Sequence, residues 1–319
     1  MKNKIPAYLC LAAAMAIAGS SVVVGKILTL RLPVFLIACG SLLTALLVLL
    51  PLTWRAHKGF PRISISDLKI LSLQAFTGIV LFRVFFLYGL RMTSAVAGGI
   101  ITSVLPAVVG LISFLFLKEK LEWRKISGIL FAVAGVLTVN TIGLSNTDMV
   151  NGSIMGNLLV LLAVVGEALF VILQKKVSKE VSPLTRTTLV SLFGFIFFLP
   201  LAVYEGLYFD FALVSWPDCV AITYSGVVVT GIAYILFFKG ALAVPATTIG
   251  VFGGFMPISS VLLSSLILGE TLLFHHLLSL GLVLAGIGLI STTVEAESLP
   301  ANGRHQPDVI YAHDPARKC

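Results

Sequence analysis

The chain has 319 residues, of which 58% are hydrophobic and 11% charged, and its formal net charge at pH 7 is +8. Soluble domains carry about 25% charged residues, so no soluble fold of this length could bury so much apolar surface, and we expect a lipid environment. The basic residues lie between apolar segments rather than along one stripe, which argues against nucleic acid as a partner.

Ten apolar segments follow one another with short connections, and a helix needs about 20 residues to cross a bilayer. In chain order the segments are 5–28, 33–54, 68–90, 95–117, 126–142, 154–174, 184–204, 220–238, 247–268 and 272–294. We therefore predict an all-α integral membrane protein with ten transmembrane helices. The polar tail, residues 295–319, contains several prolines and is expected to be disordered.

The two halves of the sequence are copies of each other. Identical residue types recur 151 positions apart: Pro106 and Pro257, Glu119 and Glu270, Gly89 and Gly240, Gly135 and Gly286. Lys26 and Lys176 form a further pair, offset by 150. A unit with five spans must insert its second copy upside down, which is the architecture of secondary transporters. We predict two inverted five-helix repeats, residues 5–142 and 152–294.

The first segment has a second interpretation. Lys2, Lys4 and the small residues Ala16–Ala18 resemble a cleavable signal peptide. We disfavour it because the first segment is the registered partner of the sixth, and its removal would destroy the repeat.

The basic residues predict the orientation. Of the 22 Lys and Arg residues, 18 lie in the segments on the side of the N-terminus, three lie on the other side, and Arg83 lies within a span. Cytoplasmic loops carry the excess of Lys and Arg, so both termini and the tail are predicted to be cytoplasmic. Short loops and the lack of a targeting peptide fit a bacterial inner membrane.

Two corresponding stretches, Met92–Leu121 and Ala243–Leu272, share a proline within the span and a glutamate at its end, and a Gly-rich helix follows each. This pattern resembles the EamA-type transporters of the drug/metabolite transporter superfamily. The resemblance implies a central cavity between spans 1–4 and 6–9, peripheral spans 5 and 10, alternating access, and export of amino acids or related metabolites. The chain departs from the pattern at Glu167, where relatives often carry an aromatic residue. The first span has Ser20 and Ser21 in the same region.

Arg83 and Glu167 are the only full charges well inside the predicted spans. A charge at mid-bilayer costs about 2.5–3.5 kcal/mol, so it usually faces the bundle interior and has a partner or a task. At 1.5 Å per residue we place the two about 10 Å apart in depth. We predict that Arg83 binds a substrate carboxylate, and that Glu167 binds an amine and serves as the coupling residue. The alternatives are a structural ion pair, or an Arg83 that reaches the interface.

Small and polar residues precede a proline in the fourth and ninth spans. Thr102 and Ser103 precede Pro106, and Gly253 precedes Pro257. Proline frees a backbone carbonyl one turn earlier, and small residues let a ligand or a helix approach. We predict helix breaks at the two prolines and a polar cavity wall, with static kinks between packed helices as the alternative.

Three further side chains complete the predicted substrate-binding set: Ser20, Ser21 and Tyr234. Tyr234 is about opposite Arg83 in the repeat, and a role in interior packing is its alternative. Near the ends of spans, we expect Glu119 and Glu270 to bond to the start of the next helix. We expect Lys26 to reach the membrane interface.

The sequence has no G-x-x-x-x-G-K-[ST], no H-E-x-x-H and no G-x-S-x-G, and its four cysteines have no metal-site spacing. We therefore predict no catalytic residue, no metal, no cofactor and no enzyme activity. The predicted function is a secondary active transporter that exports a small metabolite, such as an amino acid, by alternating access. The alternatives are a drug or lipid carrier of the same fold and a non-transporting sensor or assembly component. The predicted partners are the substrate and the lipid bilayer. A homodimer is an open alternative, with contacts through Gly128-xxx-Ala132 and Gly281-xxx-Ala285.

Overall fold

The computed structural model describes residues 5–57, 63–117, 123–141, 150–174, 176–178, 180–241, 252 and 255–298. These residues form ten apolar helical units, which we number α1 to α10, and contain no β-strand. The uninterrupted units are α1 (Ile5–Thr29), α2 (Val34–His57), α5 (Trp123–Thr141), α6 (Val150–Gln174), α7 (Pro183–Tyr208), α9 (Phe255–Leu268) and α10 (Phe274–Ser298). α10 thus includes the first four residues of the predicted tail, and the rest of the tail lies outside the described residues.

Length and hydropathy identify this protein as an integral membrane protein of helical type. Among the described residues, six helices are long and apolar enough to cross a membrane, and four shorter apolar helices accompany them. Many large hydrophobic side chains point outward, as expected where lipid is the solvent: Leu266 is 80% exposed and Leu207 is 75% exposed.

Two helices at corresponding places in the halves contain π-helical turns. α3 spans Ile65–Met92 and its π-helical turn is Phe76–Leu81. α8 consists of Trp216–Thr223, the π-helical segment Tyr224–Ile232, and Ala233–Ala241. A shift of 151 residues places the first π segment inside the second. Such turns leave the regular hydrogen-bond ladder and occur frequently at functional sites.

α4 is interrupted close to Pro106, where a helix break was predicted. Its two segments are Ala95–Thr102 and Leu105–Leu117, so the interruption precedes Pro106. Pro106 lies in the first turn of the second segment, where its missing N–H leaves no helical bond unmade. Pro257 likewise lies in the first turn of α9.

If each helix is replaced by its equivalent in the other half, the same set of packed helix pairs results. α1 packs against α8 and α9, and α6 packs against α3 and α4. α2 packs against α7, and α5 and α10 make their most extensive contact with each other. Adding or subtracting five from the helix numbers converts each of these pairs into another of them or into itself.

Glycine permits the close crossing of α5 and α10. A Cβ atom on Gly135 would lie 2.7 Å from Val283 Cγ2 and 2.9 Å from the Ser279 carbonyl oxygen. A Cβ atom on Gly286 would lie 2.6 Å from the Gly128 carbonyl oxygen. The two glycines are 151 residues apart, and so are the two carbonyls that they approach. The repeat in the sequence is therefore also a repeat of contacts.

A similar relation holds where α3 crosses α6 and where α8 crosses α1, although the two carbonyls approached there are 149 residues apart. A Cβ atom on Gly89 would lie 2.8 Å from the Gly156 carbonyl oxygen, and one on Gly240 would lie 3.0 Å from the Ala7 carbonyl oxygen. Glycine at these positions lets the two backbones approach closely.

Side chains at helix ends join the two halves. We call the side on which α1 ends and α2 begins the α1–α2 face, and the opposite side the α2–α3 face. On the α1–α2 face, Glu205 Oε2 accepts hydrogen bonds from the N–H groups of Phe35 (2.8 Å) and Leu36 (3.1 Å) at the start of α2. On the α2–α3 face, Asp67 Oδ1 accepts one from the Ser178 N–H at 2.9 Å. Each contact links one half of the chain to the other.

Glu270 binds the start of a helix, as expected, but the prediction of which helix is wrong. Glu270 does not cap the next helix, α10. Its carboxylate oxygens accept hydrogen bonds from the N–H groups of Ala95 (2.9 Å) and Val96 (2.8 Å), at the start of α4. The fold places the end of α9 beside the start of α4, a neighbour that sequence order does not indicate. Glu119 lies outside the described residues.

Lys26, which we expected to reach the membrane interface, has a specific partner at the end of α3. Lys26 Nζ donates hydrogen bonds to the carbonyl oxygens of Leu90 (2.7 Å) and Thr93 (2.6 Å) at the end of α3. The last carbonyls of a helix have no partner within the helix, so a cation is favourable there.

Candidate functional site

Arg83 joins three helices in the middle of the bundle. It lies on α3 just beyond the π-helical turn, and its Nη1 donates a hydrogen bond to Ser41 Oγ of α2. Its Nη2 donates to Thr230 Oγ1 of α8 at 3.1 Å. Both partners are neutral hydroxyls, and no carboxylate of the described residues lies within ion-pair distance of Arg83.

The π-helical segment of α8 positions one of these partners. Thr230 lies within that segment, and its hydroxyl donates to the Ser225 carbonyl oxygen five residues earlier, at 3.1 Å. The hydroxyl therefore donates to its own helix while it accepts from Arg83. This orients the oxygen toward the guanidinium and couples Arg83 to the irregular part of α8.

Glu167 lies on α6, close to the level of Arg83. A Cβ atom on the preceding Gly166 would lie 2.8 Å from the Thr77 carbonyl oxygen and 3.4 Å from the Phe82 nitrogen of α3. Since α3 and α6 are antiparallel neighbours, this places Glu167 about one helical turn from Arg83 in depth, roughly 5 Å. The carboxylate is partly buried, and it forms no hydrogen bond or ion pair with another described residue.

The structure therefore brings Arg83 and Glu167 into one region without pairing them. Tyr234 of α8 interacts electrostatically with both of them. Tyr234 is 37% exposed. Two opposite charges and a phenol grouped in one region can bind a small molecule that carries both a carboxylate and an amine.

Ser20 contributes to a second contact between α1 and α8, whereas Ser21 does not. Ser20 Oγ is 2.7 Å from the hydroxyl oxygen of Tyr224, the first residue of the α8 π-helical segment. Ser21 Oγ donates to the Ala18 carbonyl oxygen at 2.6 Å, within its own helix.

Thr102 and Ser103 are buried and bond to their own helix segment. Thr102 Oγ1 donates to the Gly99 carbonyl oxygen at 3.0 Å, and Ser103 Oγ donates to the Ile100 carbonyl oxygen. Their hydroxyls bind carbonyl oxygens next to the interruption of α4 and do not bond to Arg83. Gly253, which was also predicted to line the site, lies outside the described residues.

Sequence reasoning missed three hydroxyl side chains of this region: Ser41, Thr230 and Tyr224. A signal existed for Thr230 only, because the tripeptide Thr-Gly-Ile occurs at 77–79 and again at 230–232, in the two π-containing helices. No group of three or more His, Cys, Asp or Glu side chains that could hold a metal ion occurs in the described part of the chain.

Charges at the centre of a bundle of apolar helices, without an ion-pair partner among the described residues, are typical of membrane transport proteins. Residues 5–141 and residues 154–292 each match the EamA-like transporter family. The chain belongs to this family, within the drug/metabolite transporter superfamily, as the resemblance in its sequence indicated. Its members are transporters and not enzymes.

Relatives and a solved structure agree with this assignment. The chain is 42% identical to the uncharacterized transporter YetK of Bacillus subtilis over 90% of this chain and 87% of that protein. It is 27% identical to an uncharacterized transporter of Archaeoglobus fulgidus over 72% of this chain and 79% of that protein. A crystal structure that is 15% identical superimposes with a TM-score of 0.61 over 92% of this chain and 99% of that one, which shows a shared fold.

Proposed function

We propose that this protein is a secondary active transporter that exports a small metabolite with a carboxylate group, such as an amino acid. The observation that carries this proposal is the environment of Arg83, whose guanidinium is held by two neutral hydroxyls and faces no acid among the described residues. A charge in the bilayer interior costs about 2.5–3.5 kcal/mol when nothing compensates it. A substrate carboxylate supplies the missing charge.

Glu167 completes the proposed site. Its carboxylate binds the substrate amine in its ionised form, and it takes up a proton when the amine leaves. This exchange couples substrate export to proton entry. Tyr234, which interacts electrostatically with both Arg83 and Glu167, is the third substrate contact of this proposal.

The proposed mechanism is alternating access by two inverted repeats, residues 5–142 and 152–294. The exchange of packing pairs between the halves supports this division, as do the glycine crossings that recur at the same offset. The excess of Lys and Arg on the side of the termini supports a cytoplasmic α2–α3 face and an outer α1–α2 face. The proposed location is the inner membrane of a bacterium.

Counterflow in proteoliposomes with a labelled amino-acid mixture tests the function, because it needs no imposed ion gradient. Wild type, Glu167→Gln and the control Glu180→Gln, an exposed acid on the α2–α3 face, are compared. We expect counterflow in wild type and control. Counterflow that persists in Glu167→Gln assigns Glu167 to coupling alone, and its loss assigns Glu167 to substrate binding.

Absence of counterflow in wild type would refute amino acids as substrates. Drugs or lipids would then be tested in the same vesicles, since a carrier of such compounds keeps this fold. If no compound class gives saturable flux, a sensor or assembly role replaces transport. In that case Ala at both Arg83 and Glu167 should leave the cellular phenotype unchanged.

A further inference from the structure

Two charged side chains of opposite sign bind the turn between α3 and α4 from its two ends. Lys26, near the end of α1, donates to the Leu90 and Thr93 carbonyl oxygens at 2.7 and 2.6 Å. Glu270, which follows α9, accepts from the first two N–H groups of α4. Lys26 and Glu270 also attract each other electrostatically.

Each charge has the sign that its helix end requires. The ammonium of Lys26 meets the free carbonyls that end α3, and the carboxylate of Glu270 meets the free N–H groups that begin α4. Hydrogen bonds to charged groups are roughly twice as strong as neutral ones. The arrangement therefore ties α1, the α3–α4 turn and the end of α9 together, and it joins the two halves of the chain.

A closely packed apolar layer lies directly beneath these bonds. Val22 of α1 and Leu90 of α3 are both fully buried. A Cβ atom on Gly98 of α4 would lie 2.6 Å from Leu90 Cδ2 and 3.6 Å from Val22 Cγ1. The α1–α2 face is thus closed between α1, α3 and α4 in this structure, and the charged pair covers the closed layer.

The sequence repeats both charges in the other half. Lys176 corresponds to Lys26 at an offset of 150, and Glu119 corresponds to Glu270 at an offset of 151.

We propose that Lys26 and Glu270 form a latch that holds the outer, α1–α2 face closed. This inference rests on the proposed alternating access. Breaking the latch shifts the population toward the outward-open state.

Chemical accessibility of a single cysteine tests the latch without any substrate. Val22→Cys serves as the reporter, in a chain whose native cysteines at 10, 39, 219 and 319 are replaced by serine. A charged, membrane-impermeant methanethiosulfonate is added to the outside of right-side-out vesicles and, separately, to inside-out vesicles. The rate of labelling reports how often the closed layer opens to each side.

We expect Lys26→Gln and Glu270→Gln each to raise labelling from the outside about tenfold, as the loss of hydrogen bonds to a charged group predicts. Glu270→Asp, which keeps the carboxylate, should fall between these and the parent. Arg31→Gln is the matched control, because Arg31 is half exposed on the same face and only forms an ion pair of 3.5 Å with Asp218. It should leave the rate unchanged.

Labelling within twofold of the parent in both outer-latch variants would overturn the proposal. An equal rise from both sides would also overturn it, because it would indicate general loosening. A rise in labelling confined to inside-out vesicles would support the latch but would place the α1–α2 face on the cytoplasmic side. Each of these results is independent of whether amino acids are the substrate.

Discussion

Arg83→Lys separates the geometry of the proposed site from its charge. Arg83 uses two different nitrogens, Nη1 toward Ser41 and Nη2 toward Thr230, to join α2 and α8. Lysine keeps the positive charge but has a single nitrogen on a flexible stem, so it lacks the fork that spans both hydroxyls. If charge alone matters, the variant transports normally; if the fork positions the charge, transport falls.

The size of the effect follows from one lost hydrogen bond. A hydrogen bond to a charged group contributes about 1.5–3 kcal/mol, which corresponds to roughly 10- to 100-fold in rate or affinity. Counterflow by Arg83→Lys should fall by that factor. Arg31→Lys on the exposed surface is the control and should have no effect, since exposed ion pairs contribute little.

A double-mutant cycle tests the same reasoning from the other partner. Thr230→Val alone removes the hydroxyl that accepts from Arg83 and should lower counterflow about tenfold. In a chain that already carries Arg83→Lys, Thr230→Val should lower counterflow by much less than tenfold, because the two changes remove one interaction. Counterflow by Arg83→Lys within twofold of wild type, or additive losses in the double variant, would refute the positioning role of Thr230.

Two predictions concern the scaffold. Gly135→Leu should destabilise the protein by about 1–3 kcal/mol, because a side chain there overlaps Val283 and Ser279, whereas Gly288→Leu, which meets open space, should leave the melting temperature unchanged. Glu205→Gln should cost about 0.5–2 kcal/mol by weakening the cap on α2, with Asp210→Asn, which bonds only to the nearby Ala212 N–H, as its control. Thermal melting in detergent measures both, and equal melting of a variant and its control would contradict the corresponding contact.

The sequence was informative about the scaffold because the scaffold is repetitive and apolar. Hydropathy predicted ten spans, and the described residues form ten apolar helical units at those places, six of them long and apolar enough to cross a membrane. The π-helical turns of α3 and α8 had no sequence signature that we recognised. They depend on tertiary contacts, as the Thr230 hydroxyl bonded to both Arg83 and Ser225 illustrates.

The candidate site was only partly predictable, for a related reason. Arg83 and Glu167 were visible because charges are rare in an apolar span, but a hydroxyl such as Ser41 can satisfy itself within its own helix and gives no such signal. The partner of Glu270 was mispredicted because helix order alone suggests α10. Only the way the two halves pack places the start of α4 beside the end of α9.

Features that occur in both halves of the chain and features that occur in only one half have different roles. The glycine crossings recur in the other half. The charges at the centre do not: the position equivalent to Arg83 holds Tyr234 at an offset of 151, and at the offset of 150 that relates Lys26 to Lys176, Glu167 corresponds to Ile17. A zwitterionic substrate has different groups at its two ends and needs different partners for them. In the proposed mechanism the repeat supplies a symmetric frame for alternating access, and the two unequal positions supply the chemistry of substrate binding.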